Sequence, residues 1–108
     1  MTTFNDREKA FETAYARDQD MQFRIMARRN RLLGHWAAGL MGLTDVEAES
    51  YAKDVVRADF EEAGDEDVIR KLLGDFVSAG VACDDAMIRE ALARETIEAR
   101  RQLIESTG

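Results

Sequence analysis

The chain is 108 residues long, carries 15 Lys and Arg against 22 Asp and Glu for a net charge of −7, and contains no proline. That length supports one domain with a modest core, and so acidic a chain has the wrong sign for phosphate-rich nucleic acid. No apolar run approaches the roughly 20 residues that span a bilayer, the charged N-terminus is unlike a signal peptide, and the lone Cys83 can form no internal disulfide. Export is therefore not expected, and a single thiol fits a reducing cytoplasm.

Abundant Ala, Glu, Arg and Leu without proline predict an all-helical chain. Asn5 and Glu8 have the spacing of a capping box, which predicts a first helix from there to about Leu40. Its first half carries a thin aromatic stripe, Phe4, Phe11 and Tyr15, seven and four residues apart. From Met21 onward the apolar content thickens through Phe23, Ile25, Met26, Leu32, Leu33, Trp36, Ala37 and Leu40. A thin stripe cannot bury itself alone, so the N-terminal part of this long helix is expected to be mobile.

Gly39 and Gly42 bracket the stop. Thr44 and Glu47 form a second capping box and open a helix expected to end at Gly64. Its expected buried face is Val46, Tyr51, Ala52, Val55, Val56, Phe60 and Ala63. Asp65 is placed to cap a third helix, with Glu66 and Asp67 in a first turn whose dipole favours negative charge. Val68, Ile69, Leu72, Leu73, Phe76 and Val77 are its apolar positions, and Gly80 closes it. Asp84 then caps a fourth helix over about Asp85 to Ile104, with an inward stripe of Ile88, Ala91, Leu92, Thr96, Ala99 and Leu103. The expected architecture is a small four-helix bundle with a long first helix. It divides into a mobile segment over residues 1–19 and a globular domain over residues 20–108.

Charge is unevenly spread. Met1 to Arg31 holds seven basic and five acidic side chains, whereas Leu32 to Gly108 holds eight basic and seventeen acidic. Arg24, Arg28 and Arg31 share one helix face at 4- and 3-residue spacing, and Arg29 points elsewhere. That face is either solvated and neutralised by acidic neighbours, or a shallow anion site for a nucleotide phosphate with Trp36 stacking on the base.

Other residues carry less chemistry. His35, the single histidine, has no Cys, His or carboxylate pair at metal-ligand spacing. Cys83 precedes a helix, where a thiol can be activated, but has no basic partner in sequence. Glu61, Glu62, Asp65, Glu66 and Asp67 lack the alternating oxygen ligands of a calcium loop, and helix capping explains the last three. No nucleophile–base pair or carboxylate dyad stands out, so an enzyme is not expected. The charges flanking the aromatic stripe are mixed in sign, unlike a basic membrane-surface helix. A helix received by a groove on another protein fits better, with the rings as anchors.

The opening MTTFNDREKAFE, the block ARRNRLLGHWAAGLMG and the block YAKDVVRADFEEAGDEDVIRKL resemble the zeta-subunit ATPase inhibitors of alphaproteobacterial F-type ATP synthases. The similarity runs over nearly the whole chain and is weakest after Gly80. It implies an inhibitor of ATP hydrolysis whose N-terminal helix enters an interface between the large subunits of the catalytic sector and blocks rotation. Carried onto this chain, the partner-binding residues are Phe4, Arg7, Glu8, Phe11, Glu12, Tyr15 and Arg17. The sequence departs from the family at Thr13, where a basic residue is common. The resemblance also implies weak ATP or ADP binding, for which Arg24, Arg28, Arg31 and Trp36 are the candidates, and no other cofactor or metal. The implied location is cytoplasmic, at the inner face of the membrane through the synthase. The alternative is a helical adaptor or adenine-nucleotide sensor working through the arginine face.

Overall fold

The computed structural model describes the backbone of residues 2–61 and 64–107 and the side chains of residues 19–59 and 64–105. Among the described residues there are four helices and no strand: α1 (Thr2–Met41), α2 (Asp45–Glu61), α3 (Glu66–Ala79) and α4 (Asp85–Thr107). The all-α architecture with a long first helix is as the sequence predicts. At about 1.5 Å per residue, α1 is about 60 Å long, and it forms the long axis of a molecule measuring 66 × 27 × 21 Å.

The helix boundaries follow local chemistry, with two exceptions. Thr44 and Glu47 satisfy each other: the Glu47 amide donates to Thr44 Oγ1 at 3.2 Å and the Thr44 amide to Glu47 Oε1 at 2.9 Å. The Thr44 amide foremost, and then the Thr44 side chain, hold the Glu47 carboxyl below its usual range. The Met87 amide donates to Asp84 Oδ1 at 2.9 Å, so Asp84 caps α4. Gly42 and Gly80 take positive φ of 72° and 70°. At each, the next amide reaches back into the helix, Leu43 to the Ala38 carbonyl and Val81 to the Phe76 carbonyl.

The first exception is α1, which starts at Thr2. Asn5 therefore lies inside the helix. The second is Asp65, which takes the N-cap position of α3 with helical backbone angles and no side-chain cap bond. Its carboxylate is engaged elsewhere, by Arg29 of α1.

The core gathers Leu33 and Ala37 from α1, Val55 from α2, Val68, Ile69, Leu72 and Phe76 from α3, and Ile88, Ala91 and Leu92 from α4. Val46 and Val77 do not join it, being 82% and 77% exposed. Each residue advances about 100° around a helix, so Val46, nine positions before Val55, faces the opposite side of α2. Val77 is likewise turned out by the inward placing of Phe76. Phe60 and Ala63, the last predicted members of the α2 face, lie outside the described side chains.

Two features fasten α1 to the rest of the body. Gly34 lies where the helices nearly touch: a Cβ there would come within 2.6 Å of Ala52 Cα. Ala37, Ala38 and Ala52 are fully buried around the crossing. A polar lock then ties α1 to the turn before α3. The Arg29 side chain, only 4% exposed, donates to Asp65 Oδ1 at 2.9 Å. It also donates twice to Asn30 Oδ1, at 3.1 and 3.0 Å. That fixes the orientation of the Asn30 amide, whose Nδ2 is buried with no partner among the described residues.

Candidate functional site

α1 provides both regions that the sequence singles out. Phe4, Arg7, Glu8, Phe11, Glu12, Tyr15 and Arg17 belong to its first half by backbone; their side chains lie outside the described residues. From Gln19 to Arg24 no described side chain is buried, and the first to enter the interior is Ile25. The first described buried side chain of α1 thus lies little more than half a turn after Phe23.

Arg24, Arg28 and Arg31 do share a face. With Phe23, Ala27, Val56 of α2 and Leu103 of α4 they line a groove of about 390 Å³ along the outer side of α1. Each has a different partner: Asp20 at 3.1 Å for Arg24, Gln102 at 2.8 Å for Arg28 and Glu49 at 2.6 Å for Arg31. The face is therefore partly neutralised by α2, while α4 offers Arg28 a neutral amide. Arg29 does point away, into the lock with Asp65.

Trp36 is not part of this groove. Its ring meets Phe76 edge to face with centroids 5.9 Å apart, and the Arg94 guanidinium lies over it at 5.8 Å. The structure thus brings together the three arginines of the suggested nucleotide site but sets the tryptophan against the core. A second depression of about 410 Å³ adjoins the groove across α2, lined by Arg31, Glu49, Lys53, Val56 and Arg57. Lys53 and Arg57 were legible as a basic i,i+4 pair, but only the antiparallel packing of α2 on α1 sets them beside Arg31.

The remaining candidates are structural. His35 is half-exposed, its Nε2 at 3.1 Å from Glu49 Oε2. The Cys83 thiol is pushed up by burial and by the neighbouring Asp84 carboxylate, the reverse of an activated nucleophile. Tyr51 Oη donates to Asp75 Oδ2 at 2.6 Å, and Lys71 reaches the same oxygen at 3.0 Å, joining α2 to α3. Burial and that carboxylate raise the Tyr51 phenol far above its ordinary value, so it stays protonated. Among the described residues no group of three or more His, Cys, Asp or Glu could hold a metal ion. No described helix is long and apolar enough to cross a membrane.

The described residues thus form a small helical body on a long leading helix, with many of the polar side chains of that body tied up in caps and inter-helix bonds. The family profile of the ATPase inhibitor subunit zeta matches residues 1–102, and the chain belongs to that family. Its membership makes it a regulatory protein of an ATPase. No curated protein matches the sequence. A protein solved by solution NMR is similar, with a TM-score of 0.71 and 44% sequence identity over 80% of this chain and 98% of that one.

Proposed function

We propose that this protein inhibits ATP hydrolysis by the F-type ATP synthase by inserting residues 2–19 of α1 into a catalytic subunit interface beside the rotor. The observation that supports this is the layout of α1. One helix runs from Thr2 to Met41, yet its described side chains enter the core only from Ile25. Force applied to the leading end would be carried along one axis into a body anchored by α2 and α4.

Phe4, Phe11 and Tyr15 act as anchors, and Arg7, Glu8, Glu12 and Arg17 set orientation and partner choice. Fully burying a large apolar side chain contributes roughly 1.5–3 kcal/mol, so three rings offset much of the entropy lost on docking. Residues 20–108 form the globular body that holds the arm. The protein works in the cytoplasm, at the membrane only through the synthase.

Inhibition of ATP hydrolysis by the purified synthase tests this. The double change Phe11→Ala and Tyr15→Ala should abolish most inhibition and leave the thermal midpoint of the free protein unchanged. Loss of stability in step with inhibition would show instead that the rings belong to the core. The second reading, an adaptor or weak adenine-nucleotide sensor at Arg24, Arg28, Arg31 and Trp36, has less geometric support because Trp36 packs on Phe76, outside the arginine groove.

A further inference from the structure

The two depressions beside α1 share Arg31 and Val56 and so form one continuous surface across α1 and α2. Five cations line it, Arg24, Arg28, Arg31, Lys53 and Arg57, against the single carboxylate of Glu49. This strip stands on a chain of net charge −7. Its floor is apolar, from Phe23, Ala27, Val56 and Leu103.

The cations have exposed, loose or uncharged partners. Among the described residues no carboxylate pairs with Lys53, and Arg28 meets only the neutral Gln102. Arg57 reaches Asp54 at a loose 3.8 Å. The pairs of Arg24 with Asp20 and Arg31 with Glu49 are solvent-exposed, and exposed pairs are worth little, so they exchange readily for other anions.

We infer that this strip is a second docking surface, which receives an acidic amphipathic helix of the ATPase; the inference rests on the inhibitor reading above. Arg24 to Arg31 spans about 10 Å along α1 at the helical rise, and Lys53 to Arg57 adds a second row. Cations spread over that length match carboxylates arrayed at i, i+4 along a helix rather than the compact charge of one phosphate group. An apolar floor between basic rows takes the apolar face of the same helix. Charge complementarity of this kind governs encounter rate and salt sensitivity.

The test uses the full-length protein with the purified ATPase, recording both direct binding and the concentration for half-maximal inhibition. The double reversal Arg28→Glu and Lys53→Glu should raise that concentration at least tenfold at low salt without reducing maximal inhibition. The milder Arg28→Ala and Lys53→Ala pair should act in the same direction, and Arg100→Glu on α4 should change it less than twofold. Raising salt to 0.3 M should weaken the wild type and shrink its advantage over the reversal variant. An unchanged half-inhibitory concentration would overturn the docking surface and leave the inhibitor reading standing. Charge-sensitive binding without any inhibition would do the opposite. Two further results would also overturn it: a wild-type dimer that the reversal dissociates, or ATP shifting the Arg28 and Arg31 amides with submillimolar saturation while the reversal leaves binding unchanged.

Discussion

Gly34 shows how a single missing methyl group sets the spacing of two helices. Alanine favours the helical backbone by about 1 kcal/mol over glycine, so propensity alone argues for Gly34→Ala. The added Cβ would meet Ala52 Cα at 2.6 Å, a backbone atom that cannot rotate aside. Overpacking of this kind costs typically 1–3 kcal/mol, and the expected outcome is net destabilisation, read as a lower urea midpoint. Arg29 poses a different problem, a nearly buried guanidinium that depends on one half-exposed carboxylate. Removing that carboxylate with Asp65→Ala should cost about 2 kcal/mol, less than the roughly 3–5 kcal/mol of a fully buried pair because Asp65 stays partly solvated. Adding Arg29→Met removes the orphaned charge and should recover most of the loss. Purely additive losses in that cycle would show that Arg29 acts through packing alone.

At the scale of helices, the ends hold differently. The reciprocal Thr44–Glu47 box is the complete device, and Thr44→Ala should destabilise the protein by about 1 kcal/mol, seen as a shifted urea midpoint. The distal half of α4 is held by charge on its surface, where Glu98 accepts from Arg101 and Gln102. The Arg101 bonds foremost, then Gln102, hold the Glu98 carboxyl down at about 2 instead of 4.5. A depressed carboxyl pKa stabilises the folded state fully above the unfolded value, and that contribution is lost as pH falls through the folded one. The difference in thermal midpoint between wild type and Glu98→Gln should thus be nearly constant above about pH 5 and shrink steadily toward zero as pH falls through about 2. A difference that did not shrink between those limits would mean the glutamine disturbs packing rather than charge.

For the whole molecule, the body and the leading part of α1 have separate tasks in the proposed mechanism. Deleting Thr2 to Gln19 leaves every described buried side chain in place, and on the proposed division of tasks the remaining chain should melt cooperatively within a few degrees of the intact protein. The same deletion should abolish inhibition of ATP hydrolysis. A truncated protein that still inhibits at equal concentration would overturn the assignment of the arm. A collapse in its thermal midpoint would show that the leading residues support the body.

The amino-acid sequence by itself determined the helices and most of their limits, because capping and apolar periodicity act over three to seven residues. The Thr44–Glu47 box, the Asp84 cap, the Gly80 stop and the inward positions of α3 up to Phe76 could all be read that way, as could the shared face of Arg24, Arg28 and Arg31. Only the tertiary structure decided what lies across from each face, since that depends on how far around its axis each helix turns when packed. It turned Val46 and Val77 outward, drew Asp65 from its cap to Arg29, and set Trp36 against Phe76 instead of beside the arginines. It also placed Lys53 and Arg57 next to Arg31, making from two short basic runs one surface that no local pattern contains.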